Sequence, residues 1–337
     1  MKIAAIFTGG TIGCRVQENG YLSLGEPMHY TLLEMYQHEY PDSSVLFEPS
    51  EPMQILSESM DGMLLTKLIH HVRACLCDTS LDGIVILHGS DTLAYTAAIL
   101  GYLVDTKSIP VVLVSSAFPL SDARANGLVN LHGAVRLIQS GCGGGVFVSN
   151  RNNGDGIRIH RGTRILQQPV CSSDICSIHN QYYGIIRNDQ FQKNPDYKES
   201  CGNRLLPFAN DLTLNHPSGI LRIMPYVGMH YPELTDQISV ILHDSYHSGT
   251  ICVNEALDAF AQSAFEKGIP FYLTGTTAHE KAYVTMQAYQ KLHIHTLPDA
   301  APIAMYCRLW LALCSNRDIV QCMHIPAGDD GRTPSDI

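Results

Sequence analysis

The chain has 337 residues, of which 45% are hydrophobic and 16% charged, so it is long enough for two globular domains with large cores. Its formal charge of −10 at pH 7 and isoelectric point near 5.8 argue against nucleic acid or an anionic membrane as a partner.

Three features of the sequence concern location. No run of 18 apolar residues is present to form a transmembrane helix. Strand-like sequence starts at Ile3, which leaves no room for a signal peptide. The 11 cysteines are odd in number and scattered, which is typical of reduced thiols. We therefore expect a cytoplasmic protein.

Short apolar runs alternate with helical patterns through the first half of the chain. The runs, bounded by glycine, proline or serine, are Ile3–Phe7, Ile84–Leu87, Val111–Ser115 and Val146–Ser149. Helical periodicity covers Met63–Cys77, Leu93–Val104 and Leu128–Gln139. Buried strands that alternate with helices predict an α/β fold with a parallel, doubly wound sheet.

Polar residues dominate from Asn188 to Asn215, after which the alternation resumes in shorter form. We expect strands at Ile238–Leu242 and Pro270–Thr274, and helices at Asn254–Lys267 and from about Ala301 to Cys314. This organisation predicts a large N-terminal α/β domain over residues 1–190, a linker over 191–218 and a smaller C-terminal α/β domain over 219–337. The polar tail from Gly328 to Ile337 is expected to be frayed.

Two glycine-rich turns carry hydroxyl side chains directly after predicted strands. Thr-Gly-Gly-Thr-Ile-Gly at 8–13 follows the first run, and His-Gly-Ser-Asp-Thr at 88–92 follows the second. Because ligands of open α/β sheets bind beyond the carboxyl ends of the strands, Thr11, Ser90 and Asp91 are candidates for one site. A hydroxyl becomes a nucleophile when a base takes its proton, and glycine-rich turns supply N–H donors for an oxyanion. The pattern therefore predicts a hydrolase with a hydroxyl nucleophile.

Each of these residues also has a purely structural interpretation. A lone threonine or serine at such a position is more often a helix cap or turn former, and Asp91 is also explained as a charge at a helix N-terminus. The joint occurrence of two such turns favours the functional interpretation, in which Asp91 binds a substrate ammonium group.

Other kinds of site are weakly supported. Neither turn has the Gly-x-Gly-x-x-Gly pattern, and the sequence contains no Walker motif, His-Glu-x-x-His or Cys-x-x-Cys pair. His243 and His247 have the spacing of two metal ligands, but they lie in a turn-like segment that favours ordinary polar surface. We expect neither a metal nor a cofactor.

In the two turns the chain resembles the bacterial L-asparaginase/glutaminase family, and it is most similar to the cytoplasmic, type I branch. The resemblance includes Gly83–Ala97, continues through Pro110–Leu120 and His160–Arg164, and is looser at Ser248–Thr250. It implies a large and a small α/β domain in homodimers or homotetramers. The implied activity is hydrolysis of the side-chain amide of L-asparagine or a related small amide, with release of ammonia.

The resemblance also implies a role for each matching residue. Thr11 is the expected nucleophile, which forms an acyl-enzyme, and Tyr21, in the lid segment 19–25, helps to activate it. Ser90 and Asp91 form the second half of the catalytic group. The expected substrate-binding residues are Ser57, Glu58, Ser116 and Gln167.

The chain departs from the family at two of these positions. Ser90 replaces a threonine, and Gln167, or Arg161 in a shifted alignment, falls where the family has its catalytic lysine. Neither side chain takes up a proton at neutral pH. Two hypotheses follow. The first is an amidohydrolase, favoured by Thr11, Tyr21 and Asp91. The second is a catalytically weak or inactive relative that binds an amino-acid-like ligand as a sensor, favoured by the missing lysine.

Overall fold

A computed structural model of the chain describes residues 1–16, 21–24, 29–41, 44–154, 156–207, 212–277 and 283–332. These residues form two sheets of eight and four strands and a separate two-stranded hairpin. The predicted α/β class, with a large N-terminal sheet and a second, smaller one, is confirmed. The domain limits at 190 and 218 stay a prediction.

The large sheet begins with five parallel strands. They are β1 (Lys2–Phe7), β4 (Leu46–Ser50), β5 (Gly83–Leu87), β6 (Pro110–Val114) and β7 (Gly145–Arg151), arranged in space as β4-β1-β5-β6-β7. Strands β5 and β6 are buried along their whole length, as expected for strands covered on both faces. Strands β2 (Cys14–Val16) and β3 (Leu22–Leu24) form the separate hairpin.

Four helices cover this parallel part of the sheet. They are α1 (His29–Glu39), α2 (Gly62–Cys75), α3 (Leu93–Leu103) and α4 (Gly127–Gln139). Two apolar cores result: Leu68 of α2 and Leu100 of α3 belong to one, and Leu131 of α4 belongs to the other. The three helical patterns predicted in the first half of the chain are thereby confirmed to within two residues at each end.

Three antiparallel strands extend the sheet beyond β7. They are β8 (Ile157–Arg161), β9 (Gly184–Arg187) and β10 (Gln190–Lys193). The turn between β9 and β10 consists of Asn188 and Asp189, whose φ angles are 49° and 61°. Two residues with positive φ are typical of the type I′ turn that closes a tight hairpin. The start of the predicted linker is therefore part of the large sheet.

The smaller sheet is entirely parallel, in the order β11-β12-β13-β14. Its strands are β11 (Ile220–Ile223), β12 (Val240–Asp244), β13 (Phe271–Thr276) and β14 (Ile294–Pro298), and its helices are α5 (Glu255–Glu266), α6 (Gln287–Lys291), α7 (Pro302–Cys314) and α8 (Ile319–His324). The predictions for α5 and α7 are confirmed. Asn254 caps α5 by accepting a hydrogen bond of 3.0 Å from the Leu257 N–H.

The prediction of a frayed tail is wrong for residues 328–332. Asp329, Asp330 and Arg332 are almost completely buried. Asp329 accepts a hydrogen bond of 2.8 Å from Arg164, and Asp330 accepts one of 2.8 Å from Arg308 of α7. Charge pairing therefore fixes a segment whose polar composition indicated solvent exposure. Residues 333–337 lie outside the described residues.

None of the helices within the described ranges combines the length and the apolar character needed to cross a membrane. The longest of them, α2, has 14 residues.

Candidate active site

The two hydroxyl-bearing turns lie at the topological switch point of the large sheet. One follows β1 and the other follows β5, and these strands are neighbours although β4 comes between them in sequence. Connections from β1 and β5 run to opposite faces of such a sheet, which opens a crevice at the carboxyl ends of the two strands. The order of the strands thus places Thr11 and Ser90 at the edge where α/β proteins bind ligands.

Gly10 and Gly89 bring the two turns into direct contact. Gly10 has a φ of 77°, and a β-carbon built on it would lie 2.3 Å from the Gly89 Cα. A β-carbon on Gly89 would in turn lie 2.4 Å from the Ser57 hydroxyl oxygen. Only glycine allows this approach of the backbones at both positions. The glycines therefore determine the distance between the two halves of the site.

A third segment, residues 55–58, joins the two turns. The Gly10 N–H donates to the Ile55 carbonyl at 2.8 Å. On the other side, the Thr92 hydroxyl donates to the Ser57 carbonyl at 2.8 Å. The Ser57 hydroxyl lies 3.3 Å from the Asp91 carboxylate and accepts from the Asp91 N–H at 3.3 Å. The structure thus brings the turns that carry Thr11, Ser90 and Asp91 together with the segment that carries Ser57. The roles of these residues in a site stay a prediction.

These four side chains differ in exposure. Thr11 is the first residue of a 3₁₀ helix over Thr11–Gly13 and, like Ser90, is half-buried. Asp91 is exposed, and Ser57 is buried. The Ser90 N–H has no acceptor among the described residues. The crevice therefore contains the partly accessible hydroxyls of Thr11 and Ser90 and the carboxylate of Asp91. It also contains the Ser90 N–H, which has no acceptor in the described part of the chain.

Gln167 lies on the Asp91 side of this crevice. Its side-chain amide donates to the Asp91 carbonyl oxygen at 3.3 Å. Both residues line a cavity of about 860 Å³, together with Ser90, Phe118 and Arg124. The structure thus places the Gln167 side chain next to Asp91.

Ser116 has a structural task inside the protein. It is 1% exposed, and its hydroxyl donates to the Phe118 carbonyl at 2.6 Å and accepts from the Gly127 N–H at 3.1 Å. Gly127 begins α4, so Ser116 caps that helix. Its predicted contact with substrate stays a prediction.

The other two predicted residues are exposed. Glu58 is exposed in the 3₁₀ helix Ser57–Ser59. Burial raises the pKa of the Cys14 thiol, and the negative charge of the Glu58 carboxylate raises it further. Tyr21 is 73% exposed at the start of β3. In the lid segment, Asn19, Gly20 and Gly25 lie outside the described residues, so the proposed role of Tyr21 stays a prediction.

The sequence alone indicates no role for His88 and Thr92. His88 is fully buried, and its Nδ1 lies 2.7 Å from the Gly89 carbonyl oxygen. Burial lowers the pKa of His88 to about 4, so the ring is neutral at pH 7. The sequence contained one indication of their importance, because His88 and Thr92 directly flank the Gly-Ser-Asp turn.

His243 is not polar surface, as the sequence suggested. It lies on β12, is fully buried and contacts the Tyr231 hydroxyl at 3.2 Å, whereas His247 is exposed. Within the described ranges no cluster of three His, Cys, Asp or Glu side chains is arranged to hold a metal ion.

The model of the family described as "Asparaginase, N-terminal" matches residues 2–195, which is more than half of the chain. The chain belongs to the asparaginase family. The matched region contains both glycine-rich turns, residues 55–58 and Gln167. The family resemblance seen in the two turns is thereby confirmed.

Several named proteins are similar to this asparaginase-family chain, among them an L-asparaginase and an amidotransferase polypeptide. L-asparaginase 1 of Escherichia coli K12 is 33% identical over 137 residues, which are 40% of this chain and 39% of that protein. A glutamyl-tRNA(Gln) amidotransferase polypeptide of Pyrococcus horikoshii is 31% identical over 340 residues, covering 94% of this chain and 73% of that protein. The chain thus spans about two fifths of the length of the E. coli relative.

The fold is also shared with a solved structure. The thermostable L-asparaginase from Thermococcus kodakarensis has a TM-score of 0.73 at 20% identity, with 99% of each chain covered. At this identity the comparison shows the same fold over nearly the whole chain.

Proposed function

We propose that this chain hydrolyses the side-chain amide of L-asparagine or a related small amide and releases ammonia. The observation that carries the proposal is the contact between Gly10 and Gly89, the residues that directly precede Thr11 and Ser90 in their turns. The names of the relatives support an amide as substrate, because both asparaginases and amidotransferases act on amide nitrogen.

In the proposed reaction the Thr11 oxygen attacks the amide carbon, and the carbonyl oxygen becomes an oxyanion. The Ser90 N–H, which has no acceptor in the described part of the chain, is the proposed donor to that oxyanion. The C–N bond then breaks, the proton from Thr11 leaves with ammonia, and water hydrolyses the acyl-enzyme. Tyr21 is the proposed group that assists proton removal.

The substrate's charged end is proposed to bind on the opposite side of the crevice. Asp91 is exposed and negatively charged, so it suits an α-ammonium group. Ser57 and Glu58, on the segment hydrogen-bonded to both turns, complete this part of the site. A charged end fixed there orients the amide toward Thr11.

A second function is favoured by one observation. Gln167 lies next to Asp91, at the position where the family resemblance implies a lysine, and an amide side chain transfers no proton at neutral pH. In this second proposal the chain is a catalytically weak or inactive relative that binds an amino-acid-like ligand as a sensor.

Ammonia release from a panel of small amides, including asparagine and glutamine, distinguishes the two proposals. The Thr11→Val variant should lose this activity and keep its melting temperature, and Thr79→Val, an exposed threonine in a surface turn, serves as the control. If activity survives in Thr11→Val, another residue is the nucleophile, and Ser90 is the first to be tested. Binding of L-aspartate by calorimetry without any ammonia release favours the sensor.

We further propose a homodimer or homotetramer in the cytoplasm. The assembly follows from the family resemblance, in which sites are completed across a pair of protomers. The location is supported by the 11 cysteines, all of which are free.

A further inference from the structure

His88 lies beneath the second turn with both ring nitrogens engaged. Its Nδ1 lies 2.7 Å from the Gly89 carbonyl oxygen, and its Nε2 lies 3.0 Å from the Thr96 hydroxyl of α3. A carbonyl oxygen only accepts hydrogen bonds, so Nδ1 must carry the proton. In the neutral ring Nε2 then accepts from Thr96. Both side chains are 0% exposed, and the two contacts therefore specify one tautomer.

This contact determines the orientation of one peptide group. The Gly89 carbonyl and the Ser90 N–H belong to the same planar trans peptide, so they point in opposite directions. Because the carbonyl points at the buried ring, the Ser90 N–H points away from it. This N–H has no acceptor among the described residues, and Ser90 lines the cavity that it shares with Asp91.

We propose that His88 is a positioning residue for catalysis: by holding the Gly89 carbonyl, it directs the Ser90 N–H at the oxyanion that forms in the reaction. The proposal rests on the amidohydrolase function argued above. Gly89 has no side chain to resist rotation of its peptide, so the ring supplies the restraint that the glycine lacks.

Histidine suits this task because it donates at one nitrogen and accepts at the other while uncharged. Thr96 restrains the tautomer from the neighbouring helix, and His88 itself is restrained by the bond from its backbone N–H to the Val114 carbonyl, 2.8 Å long. A leucine fills similar space but donates nothing. An asparagine keeps an N–H donor close to the position of Nδ1.

The kinetic test compares His88→Leu, His88→Asn and His160→Leu. His160 is equally buried and contacts the Ser177 hydroxyl, so it controls for the loss of a buried histidine. Loss of an oxyanion donor reduces kcat by ~10²–10³-fold, so misorientation of one should reduce it by about 10-fold to 100-fold. We expect this fall in His88→Leu with KM within about twofold, recovery of much of kcat in His88→Asn, and an unchanged kcat in His160→Leu. Equal kcat in His88→Leu and wild type overturns the proposal.

A spectroscopic measurement tests the geometry even if no amide is hydrolysed. Nitrogen-15 NMR of histidine-labelled protein at neutral pH should show His88 as the neutral tautomer protonated at Nδ1. The Ser90 amide resonance should shift in His88→Leu and return toward its wild-type position in His88→Asn. A ring protonated at Nε2 overturns the proposal, whereas absent activity with the expected tautomer refutes only the proposed function.

Discussion

Gly10 and Gly89 lie so close that a β-carbon on Gly10 would be 2.3 Å from the Gly89 Cα. The two residues are 79 positions apart in sequence, and their contact holds the turn that carries Thr11 against the turn that carries Asp91. Their lack of side chains is therefore part of the site.

The Gly89→Ala variant tests this contact. Its methyl group would lie 2.4 Å from the Ser57 hydroxyl oxygen and 3.1 Å from the Gly10 Cα, so residues 55–58 and the first turn must move away from Gly89. We expect a loss of ~1–3 kcal/mol in the free energy of unfolding, as is usual for overpacking, and loss of ammonia release. Gly13→Ala is the control, because nothing lies within 4 Å of its added carbon. Equal melting temperatures for the two variants would refute the tight contact.

A second prediction concerns the missing lysine. Replacing Gln167 by lysine places an amine beside Asp91, and general acid–base assistance is typically worth ~10²–10⁴-fold in rate. Turnover of asparagine should therefore rise, most strongly as the pH approaches the pKa of the new lysine. Gln168→Lys, which lines the same cavity, is the control. The prediction is contradicted if the wild-type protein already has the rate of ordinary asparaginases and Gln167→Lys does not increase it.

A third prediction concerns the buried carboxylate of Asp330. It accepts hydrogen bonds from Arg308, Arg332 and Tyr102 at 2.8, 3.0 and 3.0 Å. Asp330→Asn leaves buried cations without their counter-charge, which should cost ~3–5 kcal/mol in the free energy of unfolding. The fully exposed Asp236, changed to asparagine, should stay within about 0.5 kcal/mol of wild type. Urea denaturation measures both variants, and similar midpoints would show that the buried cluster is not stabilising.

A fourth prediction is sensitivity to acid. Burial lowers the pKa of His88 to about 4 and that of His160 to about 3, from an ordinary value of 6.5. Below pH 6.5 the unfolded chain binds protons that the folded chain excludes, so stability falls as pH drops toward 4 and is unaffected above 6.5. Each histidine contributes ~1.4 kcal/mol per pH unit in this range. As the pH is lowered, the urea midpoint of His160→Gln should fall less steeply than that of wild type. Parallel slopes would contradict the lowered pKa of His160.

A fifth prediction is the assembly. The proposed homodimer or homotetramer should appear in light scattering at micromolar concentration as a mass two or four times 37.1 kDa. A monomer with full activity would show that one chain completes the site by itself.

The sequence predicted the parallel strands and the helices well, because buried apolar runs and the 3.6-residue period depend on local composition. It missed the β9–β10 hairpin, whose turn Asn188-Asp189 lies inside a polar stretch that was assigned to a linker. It also missed the burial of Asp329 and Asp330. Their partners Arg164 and Arg308 are distant in sequence, and no local pattern indicates which charges will pair.

For the site, the strand ends indicated Thr11, Ser90 and Asp91, and the family resemblance added Ser57; their roles stay predictions. The role of His88 was not predictable, because it depends on the direction of one peptide group and on Thr96, one turn into the next helix. Residue type alone does not specify a tautomer.

The pairing of Arg164 with Asp329 has a consequence for biosynthesis. The two residues are 165 positions apart, and the Tyr197 hydroxyl also donates to Asp329. At a translation rate of ~5–20 residues per second, Arg164 waits on the order of ten seconds for its counter-charge. During that interval the Arg164 guanidinium lacks its carboxylate partner, although its position is buried in the folded chain. The N-terminal half therefore becomes a finished structure only after the ribosome has made nearly all of the second half.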